Sequence, residues 1–90
     1  MPHFLDERTK QIALTRFHAT LPRKVSIAAH KRIHHLAASH SLQDVSVAGV
    51  IYRVKGERFA LRVDGRWFIT FEWDDDHGAS SLLLERLKGS

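Results

Sequence analysis

Apolar and polar residues alternate along the stretch from Arg58 to Trp73. Phe59, Leu61 and Val63 share one side of an extended chain, and Ala60 and Arg62 share the other. Trp67, Ile69, Phe71 and Trp73 repeat the alternation after Asp64-Gly65. The spacing predicts antiparallel strands over Phe59–Val63 and Trp67–Trp73. A tight turn joins them, with Asp-Gly supplying the positive backbone angles of a two-residue hairpin. Further strands are predicted over Val50–Val54 and Ser80–Leu87, with connections at Lys55-Gly56-Glu57-Arg58 and from Asp74 to Gly78. Upstream the period changes to that of a helix. Leu5–Ala19 reads as a first helix, with Leu5, Ile12, Ala13, Phe17 and Leu21 on its buried side and Asp6 and Glu7 in its first turn. Pro22 or Arg23 opens a second helix that runs to about Ser39, with Val25, Ala29, Ile33 and Leu36 as its core stripe. The short connection implies an antiparallel helix pair. Ser41–Gly49 reads as a loop with one helical turn at Leu42–Val45, and Met1–Phe4 as a short edge strand that Pro2 weakens.

These elements assemble into an α+β domain: an N-terminal helical hairpin packed on one face of a small twisted antiparallel sheet of about four strands. Residues 1–90 form a single domain with no internal repeat, and a chain this short buries roughly 60% of its unfolded surface. The helices leave the other sheet face open. Alternation assigns Arg62, Phe68, Thr70 and Glu72 to that face, while Tyr52 and Arg53, and likewise Glu85 and Arg86, point opposite ways.

Charge sharpens the picture. The net charge is +4, and it is uneven. Arg23, Lys24, Lys31 and Arg32 stand with four histidines and no acid between Arg23 and His40. Arg53, Lys55, Arg58, Arg62 and Arg66 face only Glu57 and Asp64. Two basic patches favour a polyanion, RNA or DNA, or an acidic protein partner; solubility alone is the plain alternative. There is no cysteine, which excludes disulfides and thiolate metal sites and suits a reducing cytoplasm. No run approaches the roughly 20 apolar residues of a membrane span, and the N-terminus has no secretion-signal pattern.

Several residues invite sharper readings. His30 and His34 stand four apart, a spacing that can pinch a metal, but no third ligand is evident, and a solvated helix face is the expectation. Asp74-Asp75-Asp76-His77-Gly78 suggests calcium superficially; it lacks the alternating ligands and the distal glutamate, and reads as a solvated turn. No metal or cofactor is expected. Trp67 and Trp73 are expected in the core, and Phe68, on the opposite face, is the better base-stacking candidate. Arg62 either meets an anion or pairs with Glu72 across the sheet.

Lys55-Gly56, Leu61-Arg62-Val63, Trp67-x-Ile69-Thr70-Phe71 and the loop Ser41-Leu42-Gln43-Asp44-Val45-x-x-Ala48-Gly49 together resemble the HigB branch of the RelE/ParE toxin superfamily, the toxins of type II toxin–antitoxin modules. The resemblance covers most of the chain. It implies inhibition of translation by ribosome-dependent, metal-independent mRNA cleavage, with a ribose 2′-hydroxyl attacking the adjacent phosphate. By the resemblance Lys55 and Arg62 touch phosphate, Tyr52 falls where these toxins commonly place a histidine, Glu85 falls on the acid of their C-terminal ending, and Arg86 lies near an arginine used there. Arg53, Arg58, Arg66, Phe68, Arg23, Lys24, Lys31 and Arg32 are the wider RNA-binding candidates. The chain departs from the pattern at Phe68, where an arginine is usual, and at Arg86-Leu87, where tyrosine and histidine are usual. The alternative implied is a non-enzymatic, ParE-like inhibitor of DNA gyrase or another target. The partners implied are a HigA-like helix-turn-helix antitoxin, operator DNA through it, and the ribosome with its mRNA, all cytoplasmic.

Overall fold

A computed structural model describes residues 3–47, 49–56 and 58–86. Three helices precede four strands: α1 (Glu7–Thr15), α2 (Arg23–Ala38), α3 (Leu42–Ser46), β1 (Ile51–Lys55), β2 (Arg58–Asp64), β3 (Trp67–Asp74) and β4 (Gly78–Arg86). The strands form one antiparallel sheet in the order β1-β2-β3-β4. This is the α+β arrangement expected, with the helices N-terminal and on one sheet face. Leu87, placed at the end of the fourth strand by the sequence, and Met1-Pro2 of the expected edge strand lie outside the described residues. Among those described, no helix is long and apolar enough to cross a membrane.

Core formation follows the predicted stripes. Val25, Ala29, Ile33 and Leu36 of α2 are all buried, against Leu61 and Val63 of β2, Ile69, Phe71 and Trp73 of β3, and Leu82 and Leu84 of β4. Leu61, Ile69 and Leu84 stand abreast in register across the three strands. Ser41 caps α3 by accepting the Asp44 N–H at 3.1 Å, and Val45 enters the core.

The first helix differs from expectation. It starts where Asp6 accepts the Thr9 N–H at 2.8 Å, and it ends at Thr15 rather than Ala19. Arg16 takes a left-handed conformation, φ 71°, and its N–H closes on Ile12 O, which stops the helix. Leu5 and Phe17 are therefore outside the helix and about half exposed, whereas Thr9, Ile12 and Ala13 form its buried side. Leu21 is buried, but from the connection between helices. Trp67, expected in the core, is only partly buried; it packs against the core with the Arg8 guanidinium 5.5 Å from its ring centroid.

The hairpin turns are also shifted by one residue. Asp64 pairs with Trp67, so the loop is Gly65-Arg66, and the positive φ falls on Gly65 at its first position. Gly56 holds the same position, with φ 56°, after Lys55, which pairs with Arg58. A short echo underlies both turns: Arg53-Val54-Lys55-Gly56 and Arg62-Val63-Asp64-Gly65. In each, the arginine Nε donates to the glycine carbonyl three residues on, at 2.8 and 3.2 Å, beside a shift in strand register.

The outer edge of β4 is closed by residues from the other end of the chain. The Leu82 N–H donates to His3 O at 2.8 Å and the Leu5 N–H to Leu82 O at 2.9 Å, a one-residue parallel bridge at Phe4. One step along, the Leu84 N–H donates to Thr9 Oγ1 and Arg8 Nη2 donates to Leu84 O, both at 2.9 Å. Thr9 is fully buried. Thr9→Val keeps the volume and removes the acceptor, leaving a buried N–H unpaired. It should lower unfolding stability by about 1–3 kcal/mol, read from urea denaturation.

Candidate functional site

The face of the sheet that the helices leave bare collects most of the residues singled out in the sequence. Arg62, Phe68 and Glu85 stand abreast on β2, β3 and β4 in register. In the neighbouring row lie Tyr52, Ala60, Thr70 and Leu83. Tyr52 meets Phe68 edge-on, with ring centroids 6.0 Å apart, so an aromatic floor spans the face from β1 to β3. Beyond it, Arg58 Nη2 donates to Thr70 Oγ1 at 2.8 Å, and the Thr70 hydroxyl donates to Glu85 Oε2 at 2.7 Å. Thr70 is buried, and Arg58 and Glu85 are half-buried. A hydroxyl thus joins a guanidinium to a carboxylate and holds both side chains along the sheet.

A bulge in β4 builds part of this network. Glu72 pairs with Ser80 and Thr70 with Leu83, so two residues of β4 oppose Phe71. Ser81 takes φ 52°, and its carbonyl accepts Arg58 Nη2 at 3.3 Å. Nothing in the sequence marks Ser81 for this conformation, whereas Thr70 is visible as the polar residue inside Ile69-Thr70-Phe71.

Arg62 does not pair with Glu72. Its partner in register is Phe68, and Glu72 faces Arg58. The Arg62 Nε is tied to Gly65 O, and among the described residues nothing bonds the two terminal amino groups of its exposed fork, a point of contact that suits an anion. Arg86 pairs with Trp67, one residue on from Glu85, and so lies on the helix-side face, apart from Arg62, Tyr52 and Glu85. Lys55 is exposed at the end of β1, and Arg66 is exposed in the β2–β3 turn. Arg53 is exposed and braces the first turn.

The helical basic patch serves several structural ends. Arg32 Nε donates to Arg62 O at 2.9 Å, joining α2 to β2, and both residues line a shallow cavity of about 310 Å³ with Gly49, Val50 and Gly65. Arg23 stacks over Phe17 at 5.7 Å, and Lys24 reaches Asp64 at 3.8 Å. Lys31 is exposed. The histidines of α2 bond to carbonyls of the neighbouring helices. His30 Nδ1 donates to Ile12 O at 2.9 Å, His34 Nε2 to Ala13 O at 3.0 Å, and His35 Nε2 to Asp44 O at 2.7 Å. Among the described residues no three metal-capable side chains converge.

The acidic turn is a hydrogen-bonded hairpin end. Asp74 accepts from His77 Nδ1 at 3.0 Å and from the Asp76 N–H at 2.8 Å, and Asp75 accepts from Trp73 Nε1 at 3.1 Å. No protein-family model matches this chain, and no curated protein matches it. Its site is an open, antiparallel sheet face in an α+β domain, carrying cations, an aromatic floor and one tethered carboxylate.

Two expected outcomes follow from these bonds. Thr70→Val removes both the acceptor for Arg58 and the donor for Glu85, and should cost about 1–3 kcal/mol in urea denaturation. At the turn, the His77 hydrogen bond, followed by the Asp76 N–H, holds the Asp74 carboxyl below its ordinary value. A carboxyl with a lowered folded-state pKa favours the fold above its ordinary pKa, and this support is lost as pH falls through the lowered value. Thermal melts of Asp74→Asn should therefore show a shallower loss of Tm than the parent protein below about pH 4.

Proposed function

We propose that this protein is a toxin of the HigB type that inhibits translation by cutting mRNA on the ribosome, and that RNA lies across the open sheet face. The observation that carries the reading is the row Arg62–Phe68–Glu85, with Tyr52 edge-on to Phe68. Neighbouring strands lie about 4.8 Å apart, so an aromatic platform of nucleobase size stands between a cation and a carboxylate. Bases stack on such platforms with little regard to sequence.

In this reading Phe68 supports a base and Arg62 meets the scissile phosphate with its terminal amino groups. Glu85 takes the proton of the ribose 2′-hydroxyl, whose oxygen then bonds to phosphorus. The bond from phosphorus to the 5′ oxygen breaks, and the Tyr52 hydroxyl protonates that oxygen. The products are a cyclic 2′,3′-phosphate and a 5′-hydroxyl. Arg62 stabilises the charge that builds on the phosphate, usually the largest catalytic contribution. Lys55 and Arg58 extend the cationic track. No metal or cofactor enters these steps. An antitoxin of the HigA type, with its operator DNA, is the partner this reading implies.

A second reading, inhibition by binding alone in the manner of ParE, draws on two observations. Glu85 is already engaged by Thr70, and no histidine stands on the open face among the described residues.

Induced expression followed by mapping of mRNA 5′ ends separates the two. Cleavage within codons, on translated messages only, is the expected result. Arg62→Ala should lower cleavage by about 10²–10³-fold while Tm stays within the range of a surface substitution. Growth arrest with intact messages would overturn the nuclease reading and favour binding.

A further inference from the structure

Helix α2 brings two histidine rings to the end of α1. His30 Nδ1 lies 2.9 Å from Ile12 O, and His34 Nε2 lies 3.0 Å from Ala13 O. A carbonyl only accepts, so these two nitrogens carry the ring protons. A neutral ring then keeps a lone pair on its other nitrogen, Nε2 in His30 and Nδ1 in His34. Among the described residues nothing bonds either of these. Metal-ligating histidines are held in this manner, one nitrogen donating to a carbonyl while the other faces the ion. A spacing of four residues puts both rings on one side of α2, and their centroids are 4.4 Å apart with planes at 56°. Neighbouring carbonyls of one helix end anchor the two rings, which turns both unbonded nitrogens away from α1.

We propose that His30 Nε2 and His34 Nδ1 form a two-point site for a divalent transition-metal ion, with water or an exogenous ligand completing its coordination. The donors make the first selection, since imidazole nitrogen suits nickel, copper and zinc and not magnesium or calcium. Ring spacing makes the second. An ion about 2.0–2.1 Å from each nitrogen lies roughly 3.2 Å from each ring centre, and centres 4.4 Å apart then subtend about 90° at the ion. That angle belongs to the tetragonal coordination of copper(II) and nickel(II) rather than to a tetrahedron. The last carbonyls of α1 carry partial negative charge, and no basic residue stands in its last turn, so a cation is tolerated there. His34 is exposed and His30 half-buried, which leaves the pair open to solvent. His35 gives its Nε2 to Asp44 O, beside α3, and is not a third ligand. A bound ion polarises both rings and strengthens their N–H bonds to α1, so it fastens the helix pair. The site belongs to the helical layer and stands whether or not the open face cuts RNA.

The test begins with the metal-free protein, by nitrogen NMR of its histidine side chains at about pH 8, where the rings are neutral. His30 should carry its proton on Nδ1 and His34 on Nε2. Nickel(II) chloride is then titrated in. Paramagnetic broadening should centre on the rings of His30 and His34, and calorimetry should give an affinity that falls by at least about tenfold in His30→Gln and in His34→Gln but not in His77→Gln. Glutamine keeps an N–H donor for the α1 carbonyls, and the broadening in the parent protein reads the site without any variant. Nickel should raise the Tm of the parent and leave that of the double variant His30→Gln, His34→Gln unchanged. Any of four results would overturn the proposal. These are the opposite tautomer at either ring, no broadening at millimolar nickel, broadening confined to other histidines, or equal affinity in the double variant.

Discussion

The burial of the α2 stripe against β2, β3 and β4 is the interaction on which the other features depend. Val25, Ala29, Ile33 and Leu36 occupy one side of the helix, and Leu61, Ile69, Phe71 and Leu84 are all fully buried beneath the helical layer. A chain of this length has two helices of any size to spend on cover. They cover one face and three strands, and α1, nine residues long, is used mainly at β4. The bare face is a consequence of that coverage, and Arg58, Arg62 and the exposed Tyr52 stand on it.

The bare face is not left to solvent order alone. Thr70, buried between its neighbours, joins Arg58 to Glu85, and the bulge at Ser81 brings a carbonyl to the same guanidinium. Buried polar groups held in such a chain keep fixed positions, because an unpaired one would be costly in a low-dielectric setting. Arg62 is held differently, by a bond to its own turn that leaves its fork outward. The face therefore presents a fixed carboxylate and a cation on either side of Phe68, the arrangement on which the proposed RNA contact draws.

Much of the fold was legible from periodicity. The α2 stripe, the turn at α3 and the alternation of β2 and β3 depend on local spacing, and each appears at or within a residue or two of the expected position. The first helix was overextended because Leu5 and Phe17 continue an apolar pattern, while the left-handed Arg16 that ends the helix carries no residue-type signal. The Asp-Gly turn was placed one residue early because the bulge near Val63 uses an extra position of β2. The open-face membership of Arg62, Phe68 and Thr70 followed from alternation, and the divergence of Glu85 from Arg86 did so as well.

The sequence by itself determined which residues lie on a common side of each element, since that depends only on the two-residue and 3.6-residue periods of the backbone. It also determined the charge that any partner must meet. Only the tertiary structure decided what those residues touch. Thr9 and Arg8 close the β4 edge from 75 and 76 residues away, and His30 and His34 donate ring N–H groups to carbonyls at the end of α1. Such contacts depend on how separate elements stack, and local spacing carries no information about which carbonyl a folded chain will bring within 3 Å of a given donor.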